Sequence, residues 1–203
     1  MRRSGKDIIP GMASRYEVSK DGLTYTFFLR DAVWTDGKPV TANDFAYAWQ
    51  RALDPKTASN YAFSMYYIKN AEKYNTGKLA QNQLGIKVIN DKTLQVVLES
   101  PTPYFIDLTT TMTYLPARKD IVEKYKASYF DGPDHIVSNG PFKLTLWDHD
   151  SFITVIKNPT YWNEKKVKID MINSYMYRST DEIVAAYLDG DLDIQNISAY
   201  NGS

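Results

Sequence analysis

Three alternating carboxylates near the end of the chain form the densest group of side chains with metal-binding chemistry. Asp189, Asp191 and Asp193 fall on one side of a short segment, because side chains along extended backbone alternate between two faces. Carboxylates at this spacing suggest a calcium loop or a carboxylate pair. No oxygen-rich loop of about twelve residues with a closing Glu follows them. The sequence therefore favours solvated charges at the end of a helix.

Other candidates for catalysis or metal binding are few. His135 and His149 are the 2 histidines, and no third ligand stands at metal-binding spacing from them. The chain has 0 cysteines, which excludes disulfides, thiolate metal sites and cysteine nucleophiles. Ser138 lacks the G-x-S-x-G setting of a hydrolase nucleophile. We predict a protein that is not an enzyme and has no cofactor; a hydrolase would require two carboxylates that converge on one pocket.

The composition is that of a globular protein without a basic binding surface. Its 203 residues include 24 Lys plus Arg and 24 Asp plus Glu, so the formal net charge is zero. This balance argues against nucleic acid and against an anionic membrane surface as partners. No apolar stretch reaches the roughly 18 residues of a membrane span, and no apolar segment follows the basic N-terminus. The 16 tyrosines suit broad, half-polar contact surfaces.

Hairpins dominate the secondary structure that the sequence predicts. A β-branched and aromatic run at 24–29 predicts a strand, and an Asp-Gly turn follows residues 33–35. Residues 86–89 and 93–98 flank an Asn-Asp turn, and residues 142–147 and 152–156 flank a second polar turn. Phe142, Leu144 and Leu146 fall on one face of the latter hairpin by alternation. A further strand is expected at 172–177.

Helices are fewer and have clear start and stop signals. Thr41 with Asp44 predicts a capping box at the start of a helix that ends before Pro55. Its apolar face is predicted to comprise Phe45, Ala48, Trp49 and Ala52. Ser179 with Glu182 starts another helix, with Ile183, Ala186 and Tyr187 on its apolar side and Gly190 as its stop. A weaker helix is expected at 119–125. Hairpins mixed with isolated helices predict the α+β class.

A series of motifs in the same order as in a known family covers nearly the whole chain. The most specific is WTDGKPVTANDF at 34–45, preceded by PGMA at 10–13 and YEVSKDGLTYTFFLR at 16–30. Others lie at 48–51, 53–55, 100–105, 136–144, 158–162 and 188–194. In these motifs the chain resembles the bacterial extracellular solute-binding proteins of the oligopeptide-binding type. It departs from them at Val33, where relatives usually carry a basic residue.

The resemblance implies a fold of the periplasmic-binding-protein type (type II), present here only in part. It implies an accessory lobe at residues 1–118 and part of the first ligand-binding lobe at residues 119–203, with the second ligand lobe absent. Trp34, Asp36 and Gly37 are expected to form the fold, with the Trp in a core and Asp-Gly in a turn. Asn139-Gly140-Pro141 is expected to be a structural turn, and the motif at 158–162 a structural corner.

The resemblance also suggests ligand-binding residues. Tyr61 matches a family position whose Tyr can face bound peptide, although a packed surface tyrosine is the alternative. Tyr177 and Asn196 stand at the ends of strand-like segments near the expected cleft, where a structural role is the alternative.

The implied function is that of the substrate-binding component of an ABC-type oligopeptide importer, which captures short peptides by closure of its lobes. The partners implied are peptides and the importer's membrane subunits, with contact to the membrane only through a lipid anchor outside this chain. The implied location is extracytoplasmic, at the cell surface or in the periplasm. Two alternatives stay open: the same family with other cargo (a dipeptide, a nickel complex or a signalling peptide), and a protein-interaction scaffold that binds no ligand.

Overall fold

The computed structural model describes residues 1–195, which combine three antiparallel sheets with short helices. The strands are β1 (Arg2–Ser4), β2 (Asp7–Ile9), β3 (Ala13–Val18), β4 (Thr24–Leu29), β5 (Ile86–Asn90), β6 (Thr93–Val97), β7 (Phe142–Asp148), β8 (Phe152–Lys157) and β9 (Met171–Tyr175). The α-helices are α1 (Ala42–Leu53), α2 (Ala71–Asn75), α3 (Phe105–Leu108), α4 (Lys119–Tyr125) and α5 (Thr180–Leu188). The α+β prediction is confirmed. No helix within residues 1–195 has the length and apolarity needed to cross a membrane.

The four-stranded sheet, in the order β3-β4-β6-β5, carries the hydrophobic core. Phe27 of β4 pairs with Leu94 of β6, so alternation places the apolar residues of neighbouring strands on one face. The buried residues of this face are Ala13, Tyr25, Phe27, Ile86, Leu94 and Val96. The opposite face carries Thr26 beside Gln95, which is the pattern of a sheet with one solvated side.

Helix α1 begins and ends where the sequence predicts. The carboxylate of Asp44 accepts a hydrogen bond from the backbone N–H of Thr41 at 2.8 Å and one from the indole Nε1 of Trp34 at 3.2 Å. The helix ends at Leu53, because Pro55 cannot continue it. Trp49 is buried and donates its Nε1–H to the carbonyl oxygen of Tyr114 at 2.9 Å, so its predicted core position is confirmed.

The three-stranded sheet, in the order β7-β8-β9, has no comparable core. No residue of these three strands is buried, and every residue of β9 is exposed. The hairpin is as predicted, but a β-bulge between Leu144 and Leu146 interrupts the expected alternation. Leu146 is exposed, because the extra residue at a bulge changes which face the following side chain occupies.

The first hairpin signal in the sequence corresponds to a different pairing. Strand β4 pairs with β3 and β6, whereas Val33 forms only an isolated bridge with Pro39 across the turn at Asp36 and Gly37. Gly37 has a φ of +85°, which only glycine adopts without strain. The turn prediction is confirmed, and Trp34 is buried beside it.

Two hydrogen bonds join this turn to the segment that precedes β7. The backbone N–H of Thr35 donates to the carbonyl oxygen of Ser138 at 2.8 Å, and the N–H of Ser138 donates to Thr35 Oγ1 at 3.1 Å. Beyond this junction, Asn158 is fully buried and donates to the carbonyl oxygen of Gly140 at 2.9 Å. The expected structural corner at 158–162 is therefore confirmed.

Candidate functional site

Tyr61 stands on an exposed turn with a well-anchored base. Its side chain is 66% exposed, and its ring centroid lies 6.3 Å from that of Phe63, which is 62% exposed. Between and after them, Ala62 and Met65 are buried in the core. The carbonyl oxygen of Tyr61 accepts a hydrogen bond from the hydroxyl of Ser64 at 2.7 Å. The turn therefore presents two aromatic rings to solvent on backbone fixed from below.

Tyr177 stands on a separate aromatic row. Its ring centroid lies 6.4 Å from that of Tyr175, which in turn lies 5.8 Å from that of Phe152. Tyr177 is 36% exposed and follows the end of β9. Thus Tyr61 and Tyr177 each neighbour another aromatic residue rather than one another. Asn196, the third predicted ligand-binding residue, lies outside the residues that the structure describes.

A cavity of about 370 Å³ lies between the four-stranded sheet and the loops that precede β7 and follow β8. Its wall combines core residues of the first sheet, such as Phe27 and Leu94, with Pro141 and Trp162 from the second part of the chain. Among residues 1–195, Arg2 carries the only charged side chain in the wall. Met1 also lines it. The cavity is therefore apolar with a cationic border.

Two guanidinium groups stack on the indole ring that borders this cavity. The guanidinium carbon of Arg30 lies 3.6 Å from the ring centroid of Trp162, and that of Arg2 lies 5.7 Å from it. Arg30 Nε also donates to the carbonyl oxygen of Gly11 at 2.6 Å. Burial lowers the pKa of Arg30, and the neighbouring charge of Arg2 lowers it further. Cation–π contact thus joins β1 and the residue after β4 to Trp162, which follows β8.

An ion-pair network behind the Asp-Gly turn positions helix α4. Arg118 is 5% exposed and donates from Nη1 to both carboxylate oxygens of Asp36, at 3.1 and 3.0 Å. Its Nε and Nη2 donate to Asp120 at 2.8 and 2.6 Å, and Lys38 Nζ donates to Asp120 at 2.8 Å. Arg118 first, and then Lys38, holds the pKa of Asp120 well below its usual range. Asp36 therefore anchors α4 in addition to forming a turn.

The residues first considered for catalysis have structural surroundings. The ring of His135 stacks on Tyr125 at 3.9 Å, and the ring of His149 stacks on Trp147 at 4.5 Å. Within residues 1–195, no group of three or more His, Cys, Asp or Glu side chains is arranged to hold a metal ion. Asp189, Asp191 and Asp193 are exposed, as solvated charges are.

Comparison with solved structures shows that the fold is that of part of a solute-binding protein. A solved structure, the substrate-binding domain of an oligopeptide ABC transporter from Bacillus anthracis, superposes with a TM-score of 0.88 at 43% identity. That match covers 91% of this chain and 36% of the other. The family model "Bacterial extracellular solute-binding proteins, family 5 Middle" matches residues 7–201. The chain belongs to this family, which is one of solute-binding proteins rather than enzymes.

Curated relatives give the same result and show how much of them the chain spans. The oligopeptide-binding protein OppA of Bacillus subtilis is 50% identical over 184 residues, which are 90% of this chain and 34% of OppA. The dipeptide-binding protein DppE of the same organism is 41% identical over 98% of this chain and 37% of DppE. The chain thus spans about a third of the length of these relatives.

Proposed function

We propose that the chain forms part of the substrate-binding component of an ABC-type oligopeptide importer. The observation that carries this proposal is the family match over residues 7–201, supported by 50% identity to an oligopeptide-binding protein. In the whole protein, short peptides would be captured as the lobes close around them. No chemical step and no cofactor belong to this function.

We further propose that residues 1–118 form the accessory lobe and residues 119–203 a part of the first ligand lobe. The contiguous core supports this division, since its buried members run from Ala13 to Tyr114. The open sheet β7-β8-β9 supports it too, because a lobe of which only a part is present leaves its packing surface uncovered. The second ligand lobe would lie in the part of the relatives that this chain does not span.

Peptides of many sequences require recognition through features that all peptides share. Main-chain hydrogen bonds provide affinity, and roomy pockets tolerate different side chains. Tyr61 fits such a role, since its exposed ring stands on a rigid turn and its hydroxyl can both donate and accept a hydrogen bond. Closure of a second lobe would exclude water and strengthen each polar contact. Tyr177 and Asn196 are proposed to supply the first ligand lobe's share of the cleft.

The proposed partners are short peptides and the membrane subunits of the importer. The proposed location is outside the cytoplasm, at the cell surface or in the periplasm, in agreement with the extracellular proteins of the family. A lipid anchor outside these 203 residues would hold the protein at the membrane. Nucleic acid is not proposed as a partner, because the net charge is zero.

Two observations favour second candidates. The likeness to a dipeptide-binding protein favours shorter peptide cargo in the same family, where a nickel complex or a signalling peptide are further alternatives. The exposed apolar residues of β9, Met171, Ile172 and Tyr175, favour a scaffold lobe that docks another protein through this sheet. The scaffold alternative predicts partner binding by this chain without any peptide.

The test is a chimaera in which residues 7–195 replace the aligned segment of Bacillus subtilis OppA, titrated with short peptides by calorimetry. We expect micromolar affinity in the chimaera. The 203-residue chain alone should bind peptide with millimolar affinity at best, because it would lose about half of a binding free energy of about 8 kcal/mol. Tyr61→Ala in the chimaera should weaken binding by about tenfold, with Tyr104→Ala, another exposed tyrosine, as the matched control. A folded chimaera that binds no peptide would contradict the proposed function.

A further inference from the structure

The cavity between the four-stranded sheet and the loops that precede β7 and follow β8 has features of a small-molecule site. Its volume of about 370 Å³ falls within the range of about 300–1,000 Å³ that small-molecule pockets occupy. Apolar side chains dominate its wall, among them Phe45, Leu29 and Met12. Apolar lining atoms gain dispersion contacts when an apolar group packs against them. A ligand with an apolar body would supply those contacts.

The border of the cavity selects the charge of such a ligand. Arg2 and Arg30 contact one indole ring, and each bonds a backbone carbonyl oxygen, Arg2 to Pro10 and Arg30 to Gly11. Neither guanidinium takes part in an ion pair with any residue in the 1–195 range. Two like charges beside a low-polarity space repel each other, and an anion placed near both would relieve that repulsion.

We propose that this cavity binds a small amphiphilic carboxylate, with its apolar body among the core side chains and its carboxylate at Arg2. A medium-chain fatty acid and the carboxyl-terminal residue of a peptide share this chemistry. The site is distinct from the exposed turn that carries Tyr61, so its occupancy does not depend on the proposed function of the whole protein.

The experiment titrates the 203-residue chain with octanoate and follows tryptophan fluorescence, since Trp49 and Trp162 both line the cavity. We expect saturable binding below about 1 mM, and binding at least tenfold weaker for octanol, which has the same apolar chain without the charge. N-acetylphenylalanine and its neutral amide form the second pair of ligands. The acid that binds more tightly distinguishes a fatty acid from the carboxyl-terminal residue of a peptide as the natural ligand. A preference of either acid over its neutral analogue supports the proposal.

Substitutions localise the site. Arg2→Gln should weaken octanoate binding by about tenfold and leave octanol binding unchanged, whereas Arg2→Lys should keep most of the preference for the acid. Arg15→Gln, which removes an exposed arginine stacked on Phe28, is the matched control and should have no effect. Ile172→Ser in the open sheet should also have no effect, which separates this cavity from non-specific binding to exposed apolar surface. Circular dichroism verifies that each variant is folded.

Three results would overturn the proposal. The first is equal affinity for octanoate and octanol. The second is the absence of saturable octanoate binding up to about 10 mM, which is 10-fold above the expected limit of 1 mM. The third is octanoate binding that is abolished by Ile172→Ser but retained by folded Arg2→Gln. If Arg2→Gln does not fold, the affinities of the wild-type chain for the acid and the neutral member of both ligand pairs decide the matter.

Discussion

The four-stranded and the three-stranded sheet have the same antiparallel pairing but differ in what covers them. In the first, Tyr25 and Phe27 of β4 and Leu94 and Val96 of β6 are buried in a core to which α1 also contributes. In the second, no residue of β7, β8 or β9 is buried. Backbone hydrogen bonds alone contribute little net stability, because water offers the unfolded chain equivalent partners. The first sheet is therefore stabilised by a core within this chain, whereas the second contributes no residue to that core.

Truncating one apolar side chain in the core of the first sheet and one in the second sheet should give the largest difference in the free energy of unfolding. Trp49→Ala removes a buried indole and leaves the carbonyl oxygen of Tyr114 without its donor, so the free energy of unfolding should fall by about 3–5 kcal/mol. Ile172→Ala in β9 should change it by no more than about 0.5 kcal/mol. Urea denaturation followed by circular dichroism measures both. Similar losses of unfolding free energy in the two variants would contradict the difference in packing between the two sheets.

A glycine in the first region provides a sharper test of tight packing. A β-carbon at Gly85 would lie 2.4 Å from the carbonyl oxygen of Val97 and 2.8 Å from Cβ of Lys69. Gly85→Ala should therefore lower the free energy of unfolding by about 1–3 kcal/mol, because the backbone must shift. Gly132→Ala, between the regions, meets no atom within 4 Å and is the control. Its free energy of unfolding should be unchanged or slightly higher. Equal melting temperatures for the two variants would contradict the packing seen around Gly85.

The ion-pair network should give a smaller, pH-dependent effect. Asp120 is half exposed, so Asp120→Asn should cost at most about 1 kcal/mol at neutral pH. The pKa of Asp120 is lowered in the folded state. The contribution of its carboxylate to folding stability is therefore complete above the pKa of the unfolded chain, 3.8, and is lost as the pH falls below that value. The difference in unfolding free energy between the wild type and Asp120→Asn should shrink from pH 6 to acid pH. A difference that grows on acidification would refute this assignment.

A substitution on the open sheet should have the smallest effect on stability and the largest effect on solubility. Ile172→Ser should leave the free energy of unfolding within about 0.5 kcal/mol of the wild type, since the side chain is exposed. It should reduce self-association, because exposed apolar strands at a sheet edge promote pairing between molecules. Sedimentation velocity over a range of concentrations measures this. Unchanged association in the variant would show that β9 is not the contact surface.

Elements with local signals could be predicted from the sequence. The hairpin of β5 and β6 follows from alternation and a turn, and α1 follows from Asp44, an apolar face and Pro55. The α4 range at 119–125 is also as predicted. The bulge near Leu146 could not be predicted, because it depends on pairing with β8 rather than on residue type.

The candidate site was less predictable, because its contacts join distant parts of the chain. Arg118 and Asp36 are 82 residues apart, so no local spacing relates them. The stack of Arg30 on Trp162 has no periodicity to indicate it, and neither does the cavity beside it. Tyr61 was identified only through a family resemblance, and its role in binding stays a prediction.

Amide hydrogen exchange of the isolated 203-residue chain, read by mass spectrometry, measures the difference in stability between the two sheets. Exchange reports the free energy of local opening, which is highest in strands under a buried core. We predict that the amides of β4 and β6 exchange at least a hundredfold more slowly than those of β8 and β9 under native conditions. Equal protection of the two sheets would contradict the claim that only the first has its own stabilising core.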